Sequence, residues 1–142
     1  MKKYLILLAL TMITTVLFAQ QSNKVIDYQY LRDGKSYCAF EIYKSNADTN
    51  SDRVNLSFTA NAEYSKVEKI SIKTGDQQIK ISFKVNDQTN SSDKKDLKSY
   101  QITIDKKDLL KIEDCDAKIV FKLDNGQTYS LPFYACKYKS AL

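Results

Sequence analysis

The feature that most constrains the fold of this chain is the alternation of apolar and polar residues in its apolar segments. From residue 54 to residue 60, the apolar side chains are Val54, Leu56, Phe58 and Ala60, with Asn, Ser and Thr between them. A period of two places alternate side chains on opposite faces of a strand, whereas a helix has a period near 3.6. The pattern therefore predicts half-buried β-strands.

The same alternation recurs along most of the chain and predicts about eight strands. They cover residues 25–31, 37–44, 54–60, 67–73, 79–85, 99–104, 117–123 and 128–135. Many short strands with one helical segment favour an all-β fold, either an antiparallel, hairpin-rich two-layer β-sandwich or a partly closed barrel. We predict the β-sandwich.

One short helix is expected within residues 105–113, where Asp105 can cap the first turn and Leu109 and Ile112 share a face. We expect this helix to close one end of the sandwich. The polar stretches 44–52 and 86–98 lack apolar periodicity and are predicted to be loops. The second loop is long enough to have a function.

Three turns set the expected strand registers. Residues 31–37 and 123–129 share the pattern L-x-[DN]-G-[KQ]-[ST]-Y, in which Gly suits a tight hairpin. A three-residue loop with a Gly bulge keeps apolar residues on one face, whereas a two-residue loop in the second hairpin would pair Ile119 with Pro132. The bulged form predicts the pairs Ile119–Leu131, Phe121–Tyr129, Ile26–Phe40 and Tyr28–Cys38, and a two-residue loop at Gly75 predicts Ile72–Ile79.

The start of the chain predicts a secretory signal peptide. Lys2 and Lys3 precede an apolar run from Tyr4 to Phe18, and Ala19 precedes polar residues. The run is shorter than the roughly twenty residues that span a bilayer. We therefore predict a leader over residues 1–19 and a single domain over residues 20–142, secreted or periplasmic, with no membrane insertion once the leader is removed.

Three cysteines, Cys38, Cys115 and Cys136, lie in a chain expected to enter an oxidising compartment. Counting from the second hairpin, a two-residue loop places Cys115 opposite Cys136, and the bulged loop places them one residue out of step. We predict a Cys115–Cys136 disulfide, which needs a further irregularity near the junction of helix and strand if the loop is bulged. Cys38 shares a face with Phe40 and Ile42, and we expect it to be buried.

The chain has no histidine, which removes Ser-His-Asp and Cys-His catalysis and the commonest zinc ligand. We predict no catalytic residue, cofactor or metal. An incomplete calcium-loop pattern places side-chain oxygens on alternate residues, at Asn46, Asp48, Asn50 and Asp52. Arg53 and Thr59 occupy the places where a complete loop needs Gly and Glu, so an ordinary polar turn is expected.

Several tyrosines alternate away from the predicted core face. Exposed tyrosine supplies binding area at low entropic cost, so Tyr37, Tyr43 and Tyr134 form a candidate binding face. The simpler interpretation is cross-strand packing. Lysines on the outer faces are expected to maintain solubility and to protect strand edges; they are Lys80, Lys84, Lys118 and Lys122.

These observations favour a non-catalytic binding module of a bacterial periplasm or cell exterior, with a protein or a glycan as its partner. The alternatives are a small hydrolase that uses carboxylates and an inhibitor of a secreted enzyme. Nucleic acid is not an expected partner, because removal of Lys2 and Lys3 with the leader leaves 20 basic and 17 acidic residues, a mild net charge of +3, and no nucleic-acid motif is present.

Overall fold

The computed structural model describes residues 23–44, 52–61, 66–90 and 97–141. The predicted signal peptide lies outside the described residues. So do most of the predicted 44–52 loop and the middle of the predicted 86–98 loop.

The described residues form nine strands and two short helices. The strands are β1 (Lys24–Asp33), β2 (Ser36–Lys44), β3 (Arg53–Ala60), β4 (Val67–Thr74), β5 (Gln77–Ile81), β6 (Phe83–Asn90), β7 (Lys98–Asp105), β8 (Asp116–Leu123) and β9 (Thr128–Tyr134). The helices are α1 (Lys106–Leu110) and α2 (Ala135–Ala141). The predicted all-β class is confirmed.

The strands make two antiparallel sheets, one of five strands in the order β1-β2-β3-β7-β6 and one of four in the order β5-β4-β8-β9. In β3, Val54, Leu56 and Phe58 are buried as the alternation predicts. Phe58 stacks on Phe121 of β8, with ring centroids 4.2 Å apart. The two sheets therefore share one core, and the predicted two-layer sandwich is confirmed.

The strand predicted over residues 79–85 is two strands: residues 79–81 belong to β5 and residues 83–85 to β6, and the chain passes from one sheet to the other at Ser82. The Ser82 amide donates to the carboxylate of Asp108 in α1 over 3.0 Å. The predicted loop over 86–98 is wrong at its ends, since residues 86–90 belong to β6 and Lys98 to β7. β6 is an edge strand with residues 84–88 exposed, so it needs no apolar alternation; a bulge between Val85 and Asp87 also shifts its register.

Two of the three turn predictions are confirmed. Ile119 pairs with Leu131 across the three-residue loop, and Ile72 pairs with Ile79 across the two-residue loop. Gly126 closes the larger loop with φ 87°, a backbone conformation that favours glycine.

The register predicted for the first hairpin is wrong. Gln29, not Ile26, pairs with Phe40, because Gly34 and Lys35 form a two-residue loop. Gly34 has φ 56°. The side chain of Asn61, at the end of β3, supports this loop: its amide donates to the Lys35 carbonyl, and its oxygen accepts from the amide of Tyr37 at 2.7 Å.

The predicted helix is confirmed as α1, which links the two sheets and buries Leu109, with Ile112 buried just beyond it. The expected cap is wrong in detail: Asp105 is the N-cap residue, but its side chain makes no capping hydrogen bond. It lies 3.5 Å from the Lys107 ammonium instead.

The strand predicted over residues 128–135 ends at Tyr134, and the chain then forms α2, which was not predicted. Tyr138 of α2 is fully buried. Its ring lies edge-on to Phe133, with centroids 4.6 Å apart. The packing of one aromatic side chain thus attaches the helix to the end of β9.

Candidate binding surfaces

The outer surface of the five-stranded sheet is formed by the residues that alternate away from the core. We call this surface the tyrosine face. Its members include Tyr28, Tyr30 and Arg32 of β1, Tyr37, Glu41 and Tyr43 of β2, Arg53, Asn55, Ser57 and Thr59 of β3, Ser99, Gln101, Thr103 and Asp105 of β7, and Lys84 and Asp87 of β6.

The centre of the tyrosine face carries no charged side chain. The β3–β7 register pairs Asn55 with Thr103, Ser57 with Gln101, and Thr59 with Ser99. All six residues are half-buried. The Thr59 hydroxyl donates to that of Ser99 at 3.1 Å. Two neighbouring strands thus present hydroxyl and amide groups that can both donate and accept hydrogen bonds.

Tyrosines border this centre on the side of β1 and β2. The Tyr43 hydroxyl reaches across β3 and donates to Gln101 Oε1 at 2.7 Å. The hydroxyls of Tyr28 and Tyr37 lie 2.7 Å apart. Burial, followed by the hydrogen bond to Tyr37, raises the pKa of Tyr28 to about 12. Tyr28 therefore stays neutral at physiological pH, and its ring packs 6.1 Å from that of Tyr30.

The structure does not bring the three candidate tyrosines together. Tyr37 and Tyr43 lie on the tyrosine face, whereas Tyr134 lies on β9 of the other sheet, opposite Asp116 and 41% exposed. Sequence reasoning missed Tyr28, because the wrong register of the first hairpin assigned it to the core side.

The outer surface of the four-stranded sheet differs in charge. We call it the lysine face, and it carries Lys69 and Lys73 of β4, Lys80 of β5, and Lys118 and Lys122 of β8. Three of the predicted outer lysines lie here, and Lys84 lies on the other sheet, in β6. Lys122 pairs with Glu68 at 2.8 Å.

A hydrolase that uses carboxylates needs several carboxyl groups around one cavity. Asp76, Glu113 and Asp114, together with Lys111, line a cavity of about 640 Å³. All three carboxyl groups belong to exposed residues. A general acid in such an enzyme needs a carboxyl group with a raised pKa.

Elsewhere in the described residues, three carboxyl groups have shifted pKa values, and all three are lowered rather than raised. Burial alone would raise the pKa values of Asp27 and Asp108, but the hydrogen bonds that these groups accept outweigh it and lower both. The hydrogen bond from Lys122 lowers the pKa of Glu68. None of these three shifts has the direction that a general acid requires.

Among the described residues, no group of three or more Cys, Asp or Glu side chains is arranged to hold a metal ion. Three members of the incomplete calcium-loop pattern, Asn46, Asp48 and Asn50, lie outside the described residues. Asp52 is exposed, and its carbonyl accepts from the Lys106 amide at 2.8 Å.

The predicted disulfide is confirmed: Cys115 and Cys136 are bonded, with Cα atoms 4.9 Å apart. The required irregularity is the start of α2, where the Ala135 amide donates to the Cys115 carbonyl at 3.2 Å. Cys38 is unpaired and buried, as expected. Its burial raises the pKa of the thiol to about 11, so it lacks the thiolate character of a reactive cysteine.

Asp27 connects the two ends of the described chain. It is 8% exposed and accepts hydrogen bonds from Lys137 at 2.8 Å, from Tyr138 at 2.5 Å and from Gln29 at 2.9 Å. Two of these donors lie on α2, so the cluster fixes α2 to β1. No local pattern in the sequence indicates this contact.

Comparison with protein-family models, curated proteins and solved structures gives no significant match. Neither helix of the described ranges has the length and apolar character needed to cross a membrane. The chemistry of the two outer surfaces is therefore the basis for assigning a function.

Proposed function

We propose that this chain is an exported, non-catalytic binding module that recognises a glycan through its tyrosine face. The observation that carries the proposal is the uncharged hydrogen-bonding centre of that face, bordered by tyrosine rings. Export is supported by the predicted leader and by the Cys115–Cys136 disulfide, since disulfides persist in oxidising compartments.

A neutral glycan matches this surface in two respects. Sugar hydroxyls both donate and accept hydrogen bonds, as do the Ser, Thr and Gln side chains of β3 and β7. The C–H faces of a sugar ring pack on aromatic rings, and Tyr43 is held by Gln101 beside the polar centre. The six central positions on β3 and β7 carry no Lys or Arg. On the β6 side, Lys84 lies opposite Thr103 and Asp87 opposite Gln101, so the flanking charges are of both signs and the centre favours a neutral chain over an acidic one.

A protein partner is the second candidate, and β1 favours it. β1 is an edge strand of the five-stranded sheet, and it exposes 50% of Val25, 64% of Tyr30 and 43% of Leu31. An extended peptide could pair with such an edge and use these side chains for specificity. This mode uses the rim of the tyrosine face rather than its centre.

The test is calorimetric titration with soluble neutral polysaccharides such as xyloglucan, mannan and amylose. We expect at least one to bind, and Tyr43→Ala to weaken it about tenfold, because one aromatic contact contributes roughly 1.5 kcal/mol. Gln101→Ala should also weaken it, because it removes a polar group of the centre and the hydrogen bond that holds Tyr43. Tyr134→Ala is the matched control, since it removes an exposed tyrosine from the opposite sheet. That variant should bind like the wild type.

Three results would overturn the proposal. The first is equal weakening by Tyr134→Ala. The second is binding of peptides but no neutral glycan, with the peptide complex lost in Leu31→Lys; this outcome supports the protein partner. The third is release of reducing ends from a bound polysaccharide, which supports the hydrolase.

A further inference from the structure

We propose that the lysine face is a second binding surface, which takes an anionic polysaccharide chain along the seam between β4 and β8. This surface lies on the opposite side of the sandwich from the tyrosine face, so the inference is independent of the proposed function.

Protection of strand edges does not account for these lysines. Lysine commonly protects the edge of a sheet from pairing with another chain. Four of the five lysines, however, lie on β4 and β8, the two inner strands of the four-stranded sheet. At the edges, β5 carries Lys80 and β9 carries Pro132, so edge protection does not explain the four inner lysines, and solubility alone does not require them to face one another.

The register of β4 and β8 sets like charges against each other. Lys69 lies directly opposite Lys122, and Lys73 directly opposite Lys118. Such pairs destabilise a sheet. Only Lys122 of the five has an ion pair with a described residue, Glu68. The folded chain therefore tolerates a repulsive arrangement that a bound anion would relieve.

The shape of the charge favours a linear polymer. Ser71 and Val120 lie between the two lysine pairs, which are four residues, or about 13 Å, apart along the strands. β9 adds only the neutral residues Thr128, Ser130 and Pro132 beside them. On the other side β5 adds one lysine, Lys80, opposite Ser71. The positive charge is thus concentrated along β4 and β8, which suits a chain better than a planar bilayer.

One end of this charged region opens into a cavity of about 280 Å³ lined by Lys73, Lys118, Ser130, Gly75 and Asp116. No heavy atom lies within 4 Å of the position that a Gly75 side chain would occupy, so the rim is open. Lysine offers a compact charge with three donors, which contacts carboxylate or sulfate groups without the fixed geometry of arginine. Asp116 is the carboxylate within this cavity and opposes anion binding.

The test measures binding of polygalacturonate at an ionic strength of about 0.01 M, where the Debye length is roughly 30 Å. Lys73→Gln with Lys118→Gln should raise the Kd at least about tenfold, since each lysine near an anionic surface contributes roughly 1 kcal/mol. Asp116→Asn should lower the Kd. Lys24→Gln with Lys107→Gln removes the same charge from exposed sites outside the face and should leave the Kd within about twofold.

Equal weakening in the control pair would show a general effect of net charge and overturn the proposal. Tighter binding of duplex DNA or of phosphatidylglycerol vesicles than of polygalacturonate would overturn the assigned ligand. The Lys73/Lys118 variant should melt no lower than the wild type, because it removes a like-charge pair, so lost binding would not reflect unfolding. The Lys73/Lys118 variant should still bind the neutral glycan like the wild type. Loss of polygalacturonate binding alone would therefore concern the lysine face and leave the proposed function of the tyrosine face unaffected.

Discussion

At the scale of single residues, Asp27 links stability to pH. Burial alone would raise its pKa, but the hydrogen bonds from Lys137, Tyr138 and Gln29 outweigh burial and hold the pKa below its ordinary value. A carboxyl group with a lowered folded-state pKa stabilises the fold at pH values above its unfolded pKa. That contribution is lost as the pH falls through the folded-state value.

Asp27→Asn should therefore lower the free energy of unfolding by about 2 kcal/mol near pH 7, because the buried hydroxyl of Tyr138 and the ammonium of Lys137 lose a charged acceptor. The difference from the wild type should shrink as the pH falls below about 4. Urea unfolding at both pH values measures this, with the exposed Asp33→Asn as the control. A pH-independent difference would contradict the role assigned to Asp27.

At the scale of elements, the two seven-residue segments that share one sequence pattern, 31–37 and 123–129, form different loops. The second hairpin joins two strands whose inner faces are both buried, so the apolar pattern defined the Ile119–Leu131 pair. The first hairpin includes edge strand β1, where most residues are exposed and burial sets no register. Its two-residue loop is held by Asn61, a contact that no local pattern predicts.

The elements that sequence reasoning missed depend on long-range contacts. The break at Ser82 is stabilised by Asp108, and α2 is fixed by Tyr138 and Asp27, which are 111 residues apart. The seven residues of α2 are too few to show a helical period. Period-two alternation therefore identified the core strands. It did not reveal the break at Ser82, where the chain passes between the sheets, or the C-terminal helix α2.

The disulfide should supply much of the stability at this end of the molecule. Replacing Cys115 and Cys136 by serine should lower the free energy of unfolding by about 3 kcal/mol, as expected for a loop of this length. Amide exchange within α2 should accelerate, since the helix would lose its covalent link to residue 115 and keep non-covalent contacts, such as those of Tyr138 and Lys137 with β1.

Intact-mass analysis with a thiol reagent checks the pairing in the same samples. The native wild type should take up no label, because Cys38 is buried. The unfolded, unreduced protein should take up one label and the reduced protein three. Labelling of three thiols without reductant, or unchanged exchange in the serine variant, would contradict this account.

At the scale of the whole molecule, the sandwich separates two surfaces of different chemistry by one shared core. The sequence identified Tyr37 and Tyr43 on one of them. It did not identify the polar centre of that surface, because β3 and β7 are adjacent in the sheet but distant in the chain. The sequence likewise did not predict that the lysines of β4 face those of β8, because these strands are neighbours only in the folded sheet.

If the tyrosine face binds a neutral glycan and the lysine face an anionic one, amide chemical-shift mapping should place the two ligands on opposite sheets. Titration with the neutral polysaccharide that binds should shift amides of β2, β3 and β7. Titration with polygalacturonate should shift amides of β4 and β8 around Lys73 and Lys118. Shifts from both ligands on one surface, or clustered around the cavity lined by Asp76 and Glu113, would contradict this placement.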